Sequence, residues 1–288
     1  MTVSAAVVPA EVDAEVLDLR RICDYWHLTL SAPAAAVGVR PGHFVAVAVG
    51  GPESAMLLRR AFSIYRADPA AGTIEIIFAV SGRGTAWLSE LRRGDWLSVV
   101  APLGRPFSLP TEPVACALVA GGYGAAPMFA LADQLRARGC RVDMVLGAAT
   151  ETRLFGLLAA RRCSDTLNVT TDDGSFGEQG RVTEPLRRIL AEHDTAVVYA
   201  CGPMAMLAAV STAAAEVGAH SQCAVEEAMA CGIGICMTCV LPVVGADGVT
   251  RMVRSCVEGP VFFGDRVRWP DVGTVPPDTF GAPKTGGH

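Results

Sequence analysis

The sequence predicts a multidomain chain of β and α/β type: an N-terminal antiparallel β-barrel, a doubly wound parallel sheet, and a small cysteine-rich C-terminal domain. Three observations carry this. Residues 15–105 alternate short β-rich runs with Gly/Pro punctuation, the pattern of a barrel or sandwich. The next hundred or so residues alternate apolar strand-like runs with helical segments, and Gly-rich turns stand at the strand ends. Four late cysteines follow the spacing C-x4-C-x2-C-x16-C. We expect domains at 1–110, 111–218 and 219–270, with a Pro/Gly-rich disordered tail at 271–288.

Composition narrows the function classes. The chain has 288 residues, 51% hydrophobic and 18% charged, enough for well-buried cores. Net charge is −5 with no basic block, which argues against a nucleic-acid surface. Met1 to Ala10 is apolar but has no basic start, and Glu11 and Asp13 follow at once, a poor signal peptide. Two uncharged windows, Pro113 to Ala132 and Ala196 to Ala215, have membrane-like length. Both are broken in the middle by glycine and proline, which suits a soluble strand–loop–helix and not a lipid-exposed helix. Outside the four spaced cysteines, Cys23, Cys116, Cys140, Cys163, Cys201 and Cys223 are scattered, as buried free thiols of a reducing cytosol would be.

In the barrel, Phe44 to Val49, Thr73 to Val80 and Trp96 to Val100 read as strands. Within it lies Arg60-Ala61-Phe62-Ser63. On a strand, Arg60 and Phe62 share one face, so a guanidinium could hold a phosphate beside an aromatic that stacks a flat ring. Taken alone the tetrapeptide is a weak signal, and an ordinary strand with a surface arginine is the commoner explanation. Ser81-Gly82-Arg83-Gly84-Thr85 then leads into a short helix whose first N–H groups could meet an anion. Pro102 to Phe107 forms the exit.

The middle opens with Val114 to Ala120, an apolar run suited to a strand buried on both faces. It enters Gly121-Gly122-Tyr123-Gly124-Ala125-Ala126-Pro127 and a helix over Met128 to Arg138, an arrangement that suits a pyrophosphate although it lacks G-x-G-x-x-G spacing. Further strands are expected at Arg141 to Gly147, Leu167 to Thr170 and Thr195 to Ala200, with a helix around Leu154 to Arg162. Asp172 and Asp173 could bind ribose hydroxyls or cap a turn. Cys201, before Gly202-Pro203, stands where a doubly wound sheet binds ligands, or is simply a small buried thiol.

The cysteine loop runs Cys231-Gly232-Ile233-Gly234-Ile235-Cys236-Met237-Thr238-Cys239, and Cys256 closes the set. This spacing matches the plant-type pattern of a [2Fe–2S] cluster, with Gly232 and Gly234 taking positive φ so that N–H groups face sulfur. A structural zinc site or four unrelated cysteines are the alternatives; zinc ribbons usually pair two C-x2-C knuckles, and this chain has one.

Taken together, Arg60 to Ser63, Gly121 to Pro127 and Cys201-Gly202-Pro203 resemble the flavin, pyridine-nucleotide and C-G-P motifs of the ferredoxin-reductase superfamily. More narrowly, Glu226, Met229 to Gly234, Cys236, Cys239, Cys256 and Glu258 to Phe262, with Thr171 to Gly177, resemble the electron-transfer subunit of class B dihydroorotate dehydrogenase. Ala61-Phe62 departs from the Pro-Ile common in that subunit, and Ala228 stands where relatives often carry arginine.

The resemblance implies an electron relay. FAD would lie on the barrel, with Arg60 on its pyrophosphate, Ala61, Phe62 and Ser63 near its ring, Ile77, Phe78 and Ala79 beside them, and Gly84 and Thr85 on phosphate or ribose. NAD would bind Gly121, Gly122, Gly124, Pro127, Asp173, Gly202 and Pro203. Ser63 and Cys201 would flank the hydride-transfer site as its catalytic residues. Cys231, Cys236, Cys239 and Cys256 would hold the [2Fe–2S] cluster. The implied partner is a catalytic dihydroorotate dehydrogenase subunit, in a cytoplasmic heterotetramer of two of each chain serving pyrimidine biosynthesis. Rival readings are a reductase module for a hydrogenase, a sulfite reductase or a bifurcating ferredoxin–NADP reductase, and a zinc-stabilised, non-redox nucleotide-binding protein.

Overall fold

The computed structural model describes residues 8–51 and 54–282. Six antiparallel strands, β1 (Ala10–Ile22), β2 (Tyr25–Ser31), β3 (Phe44–Val47), β4 (Arg60–Asp68), β5 (Thr73–Phe78) and β6 (Trp96–Leu103), close a barrel in the order β1-β2-β5-β4-β3-β6. Closure leaves no unpaired edge. Alternate residues point inward, and Leu28, Leu30, Ile74, Ile76 and Val99 fill the interior without solvent contact. Two short helices, α1 (Pro33–Ala36) and α2 (Arg83–Leu88), pack at its ends.

The second unit comprises β7 (Ala115–Gly121), α3 (Ala126–Ala137), β8 (Arg141–Ala148), α4 (Leu157–Cys163), β9 (Thr166–Thr171), β10 (Glu178–Gln179), α5 (Thr183–Glu192), β11 (Thr195–Cys201), α6 (Met204–Glu216) and β12 (His220–Ala224). These strands run parallel. Helices α3 and α4 cover one face through Phe129, Leu131 and Ala160, and α5 and α6 cover the other through Leu186, Leu207 and Val210. Both uncharged windows are strand–loop–helix units, β7 into α3 and β11 into α6. Among the described residues, no helix is long and apolar enough to cross a membrane.

The C-terminal segment adds the hairpin β13 (Val240–Val244) and β14 (Thr250–Arg254), then β15 (Val261–Phe263). Strand β15 pairs antiparallel with β12, giving the sheet order β10-β9-β8-β7-β11-β12-β15. The expected boundary at 219 therefore cuts across the sheet. His220-Ser221-Gln222 is too polar to read as a buried strand, yet Gln222 is buried because its amide bonds both the N–H and the carbonyl of Ser108 (2.8 and 2.9 Å).

The tail expectation is corrected for 271–282. Arg268 bonds Asp271 at 2.7 Å and Asp278 at 2.6 Å, the Phe280 N–H donates to the Thr250 carbonyl at 2.8 Å, and the Arg251 guanidinium lies 5.6 Å from the Phe280 ring centroid. Ion pairs and one aromatic hold a stretch that has no apolar periodicity. Residues 283–288 lie outside the described residues. Of the scattered cysteines, all but Cys23 are buried; Cys23 is exposed, in a turn with φ of 52°.

The barrel docks on α3 through edge-on aromatics: Tyr65 meets Phe129 at 6.1 Å and Phe155 at 5.7 Å. That contact sets two clefts side by side.

Candidate functional site: two clefts and a cysteine loop

The larger cleft, about 1110 Å³, lies between barrel and sheet. Arg60, Ala61, Phe62 and Ser63 of β4 line it, as do Ile77, Phe78 and Ala79 at the end of β5. Phe62 packs on Phe78 with ring centroids 5.7 Å apart. The Arg60 side chain is aimed by the chain just before it: Nη1 donates to the Leu58 carbonyl at 2.6 Å. Its remaining edge lies over Gly84, where an added Cβ would stand 2.9 Å from Nε. Gly84 thus makes room for the guanidinium. The Thr85 hydroxyl accepts from the N–H groups of Ser81 and Gly82 (2.9 and 3.1 Å) and donates to the Gly82 carbonyl, so it shapes the turn.

The opposite wall comes from the sheet: Tyr123, Gly124, Ala126 and Cys201. Cys201 ends β11 and is buried, which pushes its thiol well above the usual range. The structure therefore brings Ser63 and Cys201 to one cleft from separate domains. The glycine loop interlocks with the Cys201-Gly202-Pro203 turn, since a Cβ on Gly124 would meet the Cys201 carbonyl at 2.7 Å and one on Gly121 would meet Pro203 at 2.9 Å. Pro127 is buried in the first turn of α3 and positions the loop from behind.

A second groove of about 320 Å³ opens at the C-terminal ends of β7, β8, β9 and β11, where a doubly wound sheet takes its ligand. Gly121, Gly122, Gly147, Thr170, Asp172 and Pro203 line it. Here one expectation is corrected. Asp172 faces the groove, whereas the Asp173 carboxylate accepts from the Ser175 N–H (3.0 Å) and hydroxyl (2.6 Å), bonds that hold it below the ordinary range. It caps the turn. Sequence reasoning also left out Tyr25, Tyr123, Arg153 and Glu226 as site residues, although all four line both clefts. The Tyr25 hydroxyl donates to the Arg153 carbonyl at 2.8 Å, and burial pushes it up to about 12. Only Glu226, through its resemblance, carried a signal.

The cysteine loop turns through positive φ at Gly232 (73°), Gly234 (85°) and Met237 (60°). This directs backbone N–H groups at sulfur: those of Ile235 and Cys236 lie 3.3 and 3.5 Å from the Cys231 sulfur, and the Thr238 hydroxyl donates to Cys236 at 3.2 Å. The Thr238 hydroxyl bond above all holds the Cys236 thiol down to about 6, while burial pushes Cys256 up to about 12. Arg254 clamps the loop by donating to the Gly234 carbonyl at 2.9 Å and pairing with Glu258 at 2.7 Å.

The donor set tests the cluster. The Cys236 N–H lies 3.5 Å from the Cys231 sulfur on the outer part of the loop, and Cys239 and Cys256 are buried together in one cluster. A zinc site draws its ligands to a single centre, whereas a two-iron cluster takes two thiolates per iron. The residues fit [2Fe–2S]. Cys239 and Cys256 pack on Phe44, Ala46 and Leu103 of the barrel. Phe44 and Met229 belong to both this packing and the large cleft. On the outer side Ile233, Ile235 and Met237 are 51, 76 and 51% exposed.

A flavin-type barrel, a nucleotide groove and a paired-cysteine loop define a flavin iron–sulfur oxidoreductase subunit of the ferredoxin-reductase type. Family models agree: an oxidoreductase FAD-binding domain matches residues 18–107, an oxidoreductase NAD-binding domain 118–212, and the iron-sulfur cluster binding domain of dihydroorotate dehydrogenase B 226–268. The dihydroorotate dehydrogenase B (NAD(+)) electron transfer subunit of Desulforamulus reducens is 35% identical over 258 residues, covering 89% of this chain and 98% of that protein. Its counterpart in Geobacillus thermodenitrificans is 38% identical over 239 residues, covering 82% and 90%. The chain belongs to the family of dihydroorotate dehydrogenase B electron transfer subunits. Among solved structures, a chain of the NADH-dependent reduced ferredoxin-NADP oxidoreductase superposes with a TM-score of 0.80 at 29% identity, covering 90% of this chain and 91% of that one. The ferredoxin NADP+ reductase of Neisseria gonorrhoeae, at 17% identity and a TM-score of 0.59, shares the fold.

Proposed function

We propose that this chain carries electrons between NAD(H) on its sheet and a catalytic dihydroorotate dehydrogenase subunit, with dihydroorotate oxidation confined to that partner. The observation that carries this reading is spatial continuity: groove, cleft, cysteine loop and exposed apolar collar follow one another, with Tyr25, Tyr123 and Glu226 shared at the first junction and Phe44 and Met229 at the second. When bound, FAD supplies the exchange between two-electron hydride chemistry and one-electron chemistry. The protein's own part is placement. Arg60 offers a fixed guanidinium for a pyrophosphate. Ala61 and Ser63 leave the β4 wall open to a ring. Cys201, small and neutral, lets a nicotinamide approach from the sheet side. Cys231 and Cys236 would hold the outer iron, and Cys239 and Cys256 the inner one.

Ile233, Ile235 and Met237 make the collar a docking face for the partner, in a cytoplasmic assembly of two copies of each chain. Dihydroorotate-dependent NAD reduction tests this, after anaerobic mixing with the catalytic subunit encoded by the same genome. NADH formation that needs both chains is expected. Absent coupling, despite intact flavin and iron, would favour a module serving another partner, the reading to which the likeness with the bifurcating oxidoreductase points.

A further inference from the structure

A third cavity, about 900 Å³, lies where barrel, sheet and C-terminal segment meet, apart from both clefts. Four arginines line it: Arg40 from the loop after α1, Arg105 from the barrel exit, Arg138 at the end of α3, and Arg266 after β15. Arg105 donates to the Val257 carbonyl at 3.3 Å and Arg138 to the Pro110 carbonyl at 3.2 Å, both neutral acceptors. Among the described residues, none of the four arginines forms an ion pair. The one acidic side chain in the lining, Glu258, is already committed to Arg254 at 2.7 Å. In a chain of net charge −5, four guanidiniums without a carboxylate partner concentrate positive charge around one concavity.

The remaining wall has a different chemistry. Leu109, Val243 and Val261 are apolar, and Phe263 presents a ring that is 51% exposed. Gln134 adds a side-chain amide. A site for inorganic phosphate has no use for an aromatic wall beside its arginines. A phosphate chain joined to a flat heterocycle uses both, and the volume lies in the usual range for such ligands. We propose that this cavity is a third nucleotide site, which takes a nucleoside polyphosphate with its phosphates on Arg40, Arg105 and Arg266 and its base on Phe263. Because those residues come from the barrel and the C-terminal segment, an occupant ties the cysteine-bearing segment to the barrel that supports it.

Equilibrium dialysis of the holoprotein, loaded with flavin and iron and saturated with NAD to fill the groove proposed for it at the strand ends, tests the site with radiolabelled ATP and then UTP. One equivalent should bind, and inorganic tripolyphosphate should displace it. Arg105→Gln with Arg266→Gln should weaken the nucleotide on the order of tenfold for each guanidinium removed. Phe263→Ala should weaken the nucleotide and leave tripolyphosphate unchanged. Flavin and iron content check that each variant is folded, and exposed Arg40→Gln serves if the double variant fails to load. No saturable binding with NAD present would overturn the proposal, as would nucleotide affinity indifferent to the arginines. Affinity unmoved by Phe263→Ala would reduce the cavity to a phosphate site and overturn it as a nucleotide site.

Discussion

The guanidinium of Arg60 lies over the backbone of Gly84, so close that a Cβ there would stand 2.9 Å from Nε. A strand residue and a helix-start residue more than twenty positions apart thus meet, and the glycine permits the contact because it has no side chain; the proposed flavin site makes this pair a cradle for a pyrophosphate.

That cradle predicts flavin retention. Arg60→Ala should lower FAD affinity on the order of tenfold or more, through loss of a charged hydrogen bond. Gly84→Ala should do the same by displacing the guanidinium. The ratio of FAD to protein after gel filtration measures both, with iron content unchanged; full flavin in either variant would remove Arg60 from the site.

The paired thiols predict a separable cluster. Cys236→Ser should abolish iron and acid-labile sulfide while FAD largely persists, because the barrel core does not depend on the loop. Iron retained at full stoichiometry would overturn the ligand assignment.

The collar predicts where the partner docks. Ile235→Asp places a charge on a side chain that is 76% exposed, so folding and cofactors should survive while affinity for the catalytic subunit falls on the order of tenfold or more. Unchanged complex formation by analytical ultracentrifugation would move the interface elsewhere.

The barrel predicts a pH dependence. His27 Nε2 lies 2.6 Å from the Glu75 carboxylate, and that hydrogen bond holds Glu75 below its ordinary value of 4.5. A depressed carboxylate binds fewer protons folded than unfolded, so its stabilisation is present above about pH 4.5 and is lost as pH falls below it. Glu75→Gln should therefore destabilise the protein at neutral pH by roughly 1 kcal/mol. The gap in unfolding free energy should narrow between pH 4.5 and more acidic solution. A constant difference across that range would mean that the carboxylate charge is not what matters.

How much was legible follows from what is local. Strand and helix periods are written in consecutive residues, so β3, β4, β5 and β6 and the β7–α3 and β11–α6 units are readable, whereas β1 and β2 were not singled out. The cysteine spacing was readable because one short loop must curl around its ligand. Strands β12 and β15 were not, since Gln222 is buried by a partner more than a hundred residues away. The tail was misjudged for the same reason: Phe280 is held by Thr250 and Arg251 and not by its neighbours. Asp172 and Asp173 sit side by side, and only the folded turn decides which one faces the groove.

The sequence by itself determined the three chemistries, flavin strand, nucleotide loop and paired thiols, because each depends on residue types at fixed short spacing. Tertiary structure alone decided their connection: that Ser63 and Cys201 share a cleft, that Phe44 and Met229 join cleft to cysteine loop, and that four arginines meet around a third cavity. Packing of distant surfaces makes those contacts, and no local period encodes it.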